Sequence, residues 1–279
     1  MENKPKLLSV KLDLVFKLIF GDQRNTDILA SFLASILDIP EEEYEHITIV
    51  DPFVKADYPG DKYGILDLKI HTKNGQVIHT EIQVDPIHEI DERTLYYQSK
   101  MVTEQLGSGQ NYSLLKKVVS IIITDYAHLS ESGRYHHQFR YRTEDGVELT
   151  ALAEINTLEL TKLPRETDKT ELWNWMRFIK TDDEEEMKML ATRSPQLKKA
   201  VGVLKELSAD ERTRLLAEAQ EKARRDEASR VNWARQEGRE EGKREQAIKI
   251  ARKLLKLNRP IDEILEATGL TLKEIEGLS

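Results

Sequence analysis

A chain of 279 residues with 39% hydrophobic and 33% charged residues is long enough for one sizeable domain plus an appendage, under a heavily charged surface. It has no cysteine, which excludes disulfides, thiolate zinc sites and cysteine nucleophiles, and no apolar run long enough for a transmembrane helix, so no membrane partner is expected. The net charge of −8 argues weakly against a nucleic-acid coat protein, although the charge is uneven: acids cluster at 41–45 and 182–186, while 210–257 holds 14 Lys/Arg against 10 Asp/Glu. The opening Met1-Glu2-Asn3-Lys4-Pro5-Lys6 lacks the apolar stretch of a signal peptide, and a cytoplasmic protein is expected.

Leu12 to Phe20 predicts a short helix with Leu12, Phe16 and Phe20 on one stripe and Gly21 as its stop. Asp13 and Lys17 form an i,i+4 pair beside that stripe, which reads as a solvated ion pair or as part of a site. Asp27 to Leu37 predicts a second helix, Ile47 to Val54 a strand, and Asp57 to Gly64 a polar loop.

The decisive stretch is Leu66 to Gln83, where two alternating apolar and polar runs flank Asn74-Gly75, the short-range signature of a β-hairpin. Side-chain parity selects the turn. A two-residue loop would set Asp67 opposite Ile82 and scatter apolar residues over both faces. A three-residue loop, Lys73-Asn74-Gly75 with Gly75 left-handed, pairs Thr72 with Gln76. Leu66, Leu68 and Ile70 then oppose Ile82, Thr80 and Ile78, while Asp67 opposes Glu81 with Lys69, His79 and Gln83 beside them.

Two adjacent carboxylates repel unless a cation or proton lies between them, and such hard oxygen ligands suit Mg²⁺ or Mn²⁺. The hairpin alone leaves two readings open: a metal site, or a sheet whose outer face is merely charged.

Glu89 to Leu106 predicts a helix burying Leu95, Val102 and Leu106, with Arg93, Tyr97 and Lys100 on the opposite side. If that side overlooks the carboxylates, it offers cations and a hydroxyl to a phosphate backbone. The β-branched run 118–123 suits a central strand covered on both faces. Tyr135 to Arg142 and Leu158 to Leu163 predict further strands around a turn at Glu144-Asp145-Gly146, and Lys169 to Lys180 a helix carrying Trp173 and Phe178. His136-His137 lacks a suitably spaced third ligand and reads as an ordinary strand or turn pair.

From Asp182 onward the chain reads as helical. The expected division is a domain over 1–181, a charged helical extension over 182–257 punctuated by Gly238 and Gly242, and a small helical tail over 258–279 with Thr271 as an N-cap. The tail has a helix-turn-helix outline, but Glu274 and Glu276 against Lys273 oppose DNA reading. Self-association through these C-terminal helices would give a homo-oligomer.

The assembled pattern resembles the PD-(D/E)XK nuclease superfamily, and within it the Rpn family of recombination-promoting nucleases, also described as PD-(D/E)XK family transposases. The residues that carry this are Asp13-x-x-Phe16-Lys17-x-x-Phe20-Gly21, Ile65-Leu66-Asp67-Leu68-Lys69, Glu81-Ile82-Gln83, and Arg93-x-Leu95-Tyr96-Tyr97-x-Ser99-Lys100. The resemblance implies an α/β fold with a restriction-endonuclease-like core, a mixed central sheet flanked by helices, followed by an all-helical C-terminal region. It further implies a Mg²⁺-dependent DNA endonuclease, with Mn²⁺ as a substitute. Asp67 and Glu81 would be metal ligands, joined by the Ile82 carbonyl, and Lys69, Arg93, Tyr97 and Lys100 would contact DNA. Gln83 stands where the wider superfamily usually has lysine; glutamine can orient a water but carries no charge. The rival reading is a catalytically weak nuclease-fold module acting through its helical C-terminus.

Overall fold

The computed structural model describes residues 6–37, 39, 44, 46–50, 53–54, 64–65 and 68–278, with the backbone alone at 53–54 and 64–65. Leu66 and Asp67 lie outside the described residues. Residues Met1–Ala217 form one compact unit and Glu218–Ser279 a second.

In the first unit, α1 (Asp13–Phe20) and α2 (Thr26–Leu37) turn their apolar stripes into the main core. With α4 (Glu171–Lys180) they build an aromatic cluster, in which Phe20 lies 4.7 Å from Phe16, 4.8 Å from Phe32 and 5.9 Å from Trp175, ring centre to ring centre. Tilted and edge-on rings of this kind add to the stabilisation that burial provides. Gly21 allows α1 to end hard against the hairpin. A Cβ there would sit 2.6 Å from the Lys17 carbonyl oxygen and 2.7 Å from a Leu68 methyl, so a larger residue would push α1 away.

The strands are β1 (Thr48–Val50), β2 (Phe53–Val54), β3 (Gly64–Ile65), β4 (Leu68–His71), β5 (Val77–Gln83), β6 (Val118–Thr124), β7 (His136–Arg142) and β8 (Glu148–Glu159). Six of them form a mixed sheet in the order β1-β4-β5-β6-β8-β7, and β2 pairs separately with β3. β4 and β5 are antiparallel, whereas β5, β6 and β8 run parallel. Parallel neighbours need a crossover, and α3 (Ile90–Thr103) supplies it between β5 and β6.

The β4–β5 hairpin adopts the three-residue turn that parity selects. Leu68 pairs with Thr80, Lys69 with His79 and Ile70 with Ile78. The Gly75 amide donates to the Thr72 carbonyl at 2.9 Å, and Gly75 takes φ +81°. Only glycine adopts that backbone without strain.

Every residue of β6 is buried, as the β-branched run predicts. On one face, Ile78, Ile82, Val119, Ile121, Ile123 and Leu158 join the core of α1, α2 and α4. On the other, Tyr97 and Met101 of α3 pack on Val77 and Val118.

Three features differ from the sequence expectation. First, α3 presents Thr94, Tyr97, Gln98 and Met101 to the sheet, and Leu95 is 48% exposed. The sheet face it meets is itself polar, so mixed side chains fit it better than a leucine stripe; Gln98 Nε2 donates to the Glu154 carbonyl at 2.9 Å. Second, the strand expected over 158–163 is β8, and a short 3₁₀ turn occupies 160–162. The first half of β8 is mostly exposed and poor in β-branched residues, and its pairing with β7 holds it extended. Third, α5 (Glu184–Leu190) and α6 (Pro195–Ala209) bury Met187, Leu190, Leu197, Val201 and Leu204 in the main core. The compact unit therefore runs well past the domain end expected at 181. Pro195 opens α6 at its first turn behind the Ser194 cap.

The second unit comprises α7 (Glu211–Lys256) from Glu218 onward with α8 (Ile261–Thr268) and α9 (Leu272–Glu276). Ala251, Ile264, Leu270 and Ile275 make its small core. Thr271 caps α9, as the sequence predicts, in a reciprocal box with Glu274, and Gly269 ends α8 at φ +67°. No helix among the described residues is long and apolar enough to cross a membrane.

Candidate active site

The site is centred on Glu81. Two residues of sequence per pleat put His79, Glu81 and Gln83 on the face of β5 that α3 covers. That face is not open to solvent, which departs from the reading of a merely charged outer surface: Glu81 is 6% exposed and His79 1%.

Arg93 of α3 reaches down to Glu81, its Nη2 lying 2.8 Å from Oε1. Its guanidinium also lies 5.9 Å from the centre of the Tyr97 ring. His79 Nε2 stands 3.8 Å from Glu81 Oε2. Burial raises the Glu81 carboxyl above its ordinary value; Arg93 and Lys17 work against this, and Asp13 adds to it. Burial, reinforced by Arg93 and Lys69, pushes His79 down to about 3, so its imidazole is neutral at physiological pH.

Asp13 and Lys17 are thus part of the Glu81 surroundings rather than a remote surface pair. Lys17 Nζ lies 2.9 Å from Asp13 Oδ1 on α1, the helix that Gly21 brings against the hairpin. Their i,i+4 spacing was visible in the sequence, but not what it faced. Ser120 was missed altogether. It sits directly across from His79 on β6, buried, and the signal for it was a lone hydroxyl interrupting a β-branched run.

The other expected site residues divide. Ile82 is buried in the main core. Gln83 turns its Nε2 to the Asp85 carbonyl at 2.9 Å. Lys69 is held by Glu104 at 3.1 Å, and Lys100 sits over the Tyr96 ring at 5.9 Å. Tyr97 is 8% exposed, so its ring underlies Arg93 rather than standing on an open helix face. Asp67 lies outside the described residues. His136 and His137 are engaged by Asn156 and Ser132, at 2.9 and 2.7 Å.

Among the described residues no group of three or more His, Asp or Glu side chains is arranged to hold a metal ion. The donor chemistry nevertheless fits a hard divalent cation. A buried carboxylate with a raised pKa gains from a positive charge beside it, and Mg²⁺ needs only one or two protein carboxylates because it retains waters.

A mixed sheet with a parallel centre, helices on both faces and an acidic residue on the second strand of a hairpin defines a nuclease-like α/β core. A family model for PD-(D/E)XK nuclease family transposases matches residues 10–234, and the chain belongs to that family. The nucleases of this class generally use divalent metal ions. Comparison with curated proteins and with solved structures gives no match.

Proposed function

We propose that the chain is a Mg²⁺-dependent DNA endonuclease that hydrolyses phosphodiester bonds, with Mn²⁺ able to replace Mg²⁺, and that its breaks promote recombination. The observation that carries this is the hairpin register. Leu68 with Thr80 and Lys69 with His79 are the pairs of the alignment in which the sequence sets Asp67 opposite Glu81. Family membership over 10–234 supports the same chemistry.

Asp67 and Glu81 hold the cation, with the Ile82 carbonyl completing the protein's share of its ligands. When bound, the cation activates water and neutralises charge on the phosphate. Gln83 orients the attacking water through its amide. Arg93 balances Glu81 in the free protein and, with Lys69 and Lys100, meets the phosphate backbone of DNA. Tyr97 braces Arg93 from below.

The test is plasmid DNA with Mg²⁺ and the purified full-length chain beside its Asp67→Asn variant. Cleavage by the wild type alone supports the proposal; equal cleavage by both overturns the assignment of Asp67. A second reading, an interaction module with little activity, draws on Gln83, which carries no charge and bonds the Asp85 carbonyl. Titration with Mn²⁺ separates the two readings: saturable binding that disappears in Glu81→Ala favours the enzyme, and no binding favours the module.

A further inference from the structure

Directly beside Glu81 lies a polar group to which the site expected from sequence gives no role. His79 is 1% exposed, and among the described residues neither ring nitrogen has a hydrogen-bond partner; the Ser120 hydroxyl, fully buried, has none among them either. These two side chains face each other across β5 and β6, in register, on the side that α3 covers. A neutral imidazole carries one N–H and one lone pair, and folded proteins rarely leave either unmatched in the interior. The acceptor within reach is Glu81 Oε2, 3.8 Å from Nε2, longer than a hydrogen bond but closed by a small turn of either side chain. The other oxygen of Glu81 already takes Arg93.

The geometry points to His79 as a positioning residue: its Nε2–H donates to Glu81 Oε2 while the Ser120 hydroxyl donates to Nδ1, and the Ser120–His79 chain fixes the plane of the carboxylate. The proposal deepens the cation-site reading of Glu81 and rests on it. Held by Arg93 on one oxygen and His79 on the other, Glu81 keeps its remaining lone pairs directed outward for a divalent cation. Groups that orient ligands in this way typically tune metal affinity tenfold or more.

Two substitutions separate the donor from the bulk of the ring, since His79→Leu removes it and His79→Gln retains one. With Mn²⁺ as the probe and full-length protein, calorimetric titration should show binding roughly ten- to a hundredfold weaker in His79→Leu and close to wild type in His79→Gln. Equal affinity in all three, or an equal loss in both variants alongside a lowered melting temperature, would overturn the proposal. A wild type that fails to bind Mn²⁺ removes the cation reading instead, and the metal-free arm then decides. In ¹⁵N spectra of the wild type, His79 should be the Nε2–H tautomer with a proton shielded from exchange, and that protection should vanish in Glu81→Ala. The Nδ1–H tautomer, or protection unchanged in Glu81→Ala, sinks the idea even if His79→Leu does not fold.

Discussion

Two glutamates in the same sheet are almost equally buried and behave in opposite ways. Glu154 on β8, 3% exposed, receives Lys117 and Arg140 on one oxygen and Asn156 on the other, each at 2.9 Å. Burial alone would raise its carboxyl, but those donors outweigh it and hold the group below its ordinary value. Glu81 on β5 has a single charged donor, Arg93 at 2.8 Å, with the neutral His79 ring 3.8 Å away, and burial wins. The difference is one of donor supply, since a carboxylate given enough donors is stable as an anion in the interior. Glu154 is complete within the fold, whereas Glu81 still gains from an added cation. That incompleteness supports the proposal that Glu81 is the functional member of the pair.

The contrast breaks most severely where the incomplete carboxylate is removed. Glu81→Gln, like Asp67→Asn, should lower Mg²⁺-dependent plasmid cleavage by about a thousandfold, the equivalent of several kcal/mol of lost charge stabilisation. The melting temperature of Glu81→Gln should be unchanged or higher, because the substitution removes a charge whose burial is unfavourable and leaves the Arg93 side chain, 37% exposed, to be solvated by water. Wild-type cleavage by the Glu81 variant would end the parallel between incompleteness and function.

The complete carboxylate should show the reverse. Glu154→Leu leaves Lys117 and Arg140 without their shared acceptor, and should cost roughly 1–3 kcal/mol in urea unfolding. Mn²⁺ binding per folded molecule should not change. A Glu154 variant as stable as the wild type would contradict the donor-supply account, and one that loses Mn²⁺ binding would place Glu154 in the site; either removes the distinction.

How much of this was legible beforehand follows from which forces are local. The hairpin register was, because a strand's alternation and the Asn74-Gly75 turn leave one alignment with a uniform apolar face. The aromatic stripe of α1 and the buried run of β6 were legible for the same reason. The environment of Glu81 was not, since it depends on α3 crossing from β5 to β6 and on Gly21 bringing α1 against Leu68. Periodicity alone favours Leu95 as the buried face of α3. The sheet reverses that choice by offering His79, Glu81 and Ser120, which suit Thr94, Tyr97 and Gln98.

The same contrast can be sharpened by pH, with chelator present so that no cation contributes. Both groups start from an ordinary value of 4.5. Glu81 is raised in the folded chain, so its contribution to stability is complete below that value and lost as pH rises through the raised one. Glu154 is lowered, so its contribution is present above 4.5 and lost as pH falls through the depressed value. Relative to Glu81→Gln, the wild type should therefore lose ground upward from about pH 4.5. Relative to Glu154→Gln, it should lose ground downward from the same point. Unfolding curves taken at intervals across that range should show difference slopes of opposite sign; slopes of the same sign would contradict the donor-supply account.

The smallest effect comes from a carboxylate that is hardly buried. Glu263 of α8 pairs at 2.8 Å with Arg259, which lies just before that helix, and the side chains are 50% and 55% exposed. Water already solvates both charges, and holding two long side chains in one geometry costs entropy, so the short distance brings little net stability. Glu263→Gln should change unfolding free energy by less than about 0.5 kcal/mol, and added salt should shrink even that. Its length matches that of the Arg93–Glu81 contact. If Glu263→Gln cost as much as Glu154→Leu, distance rather than burial and donor supply would govern these pairs, and the separate standing of Glu81 would lose its physical basis.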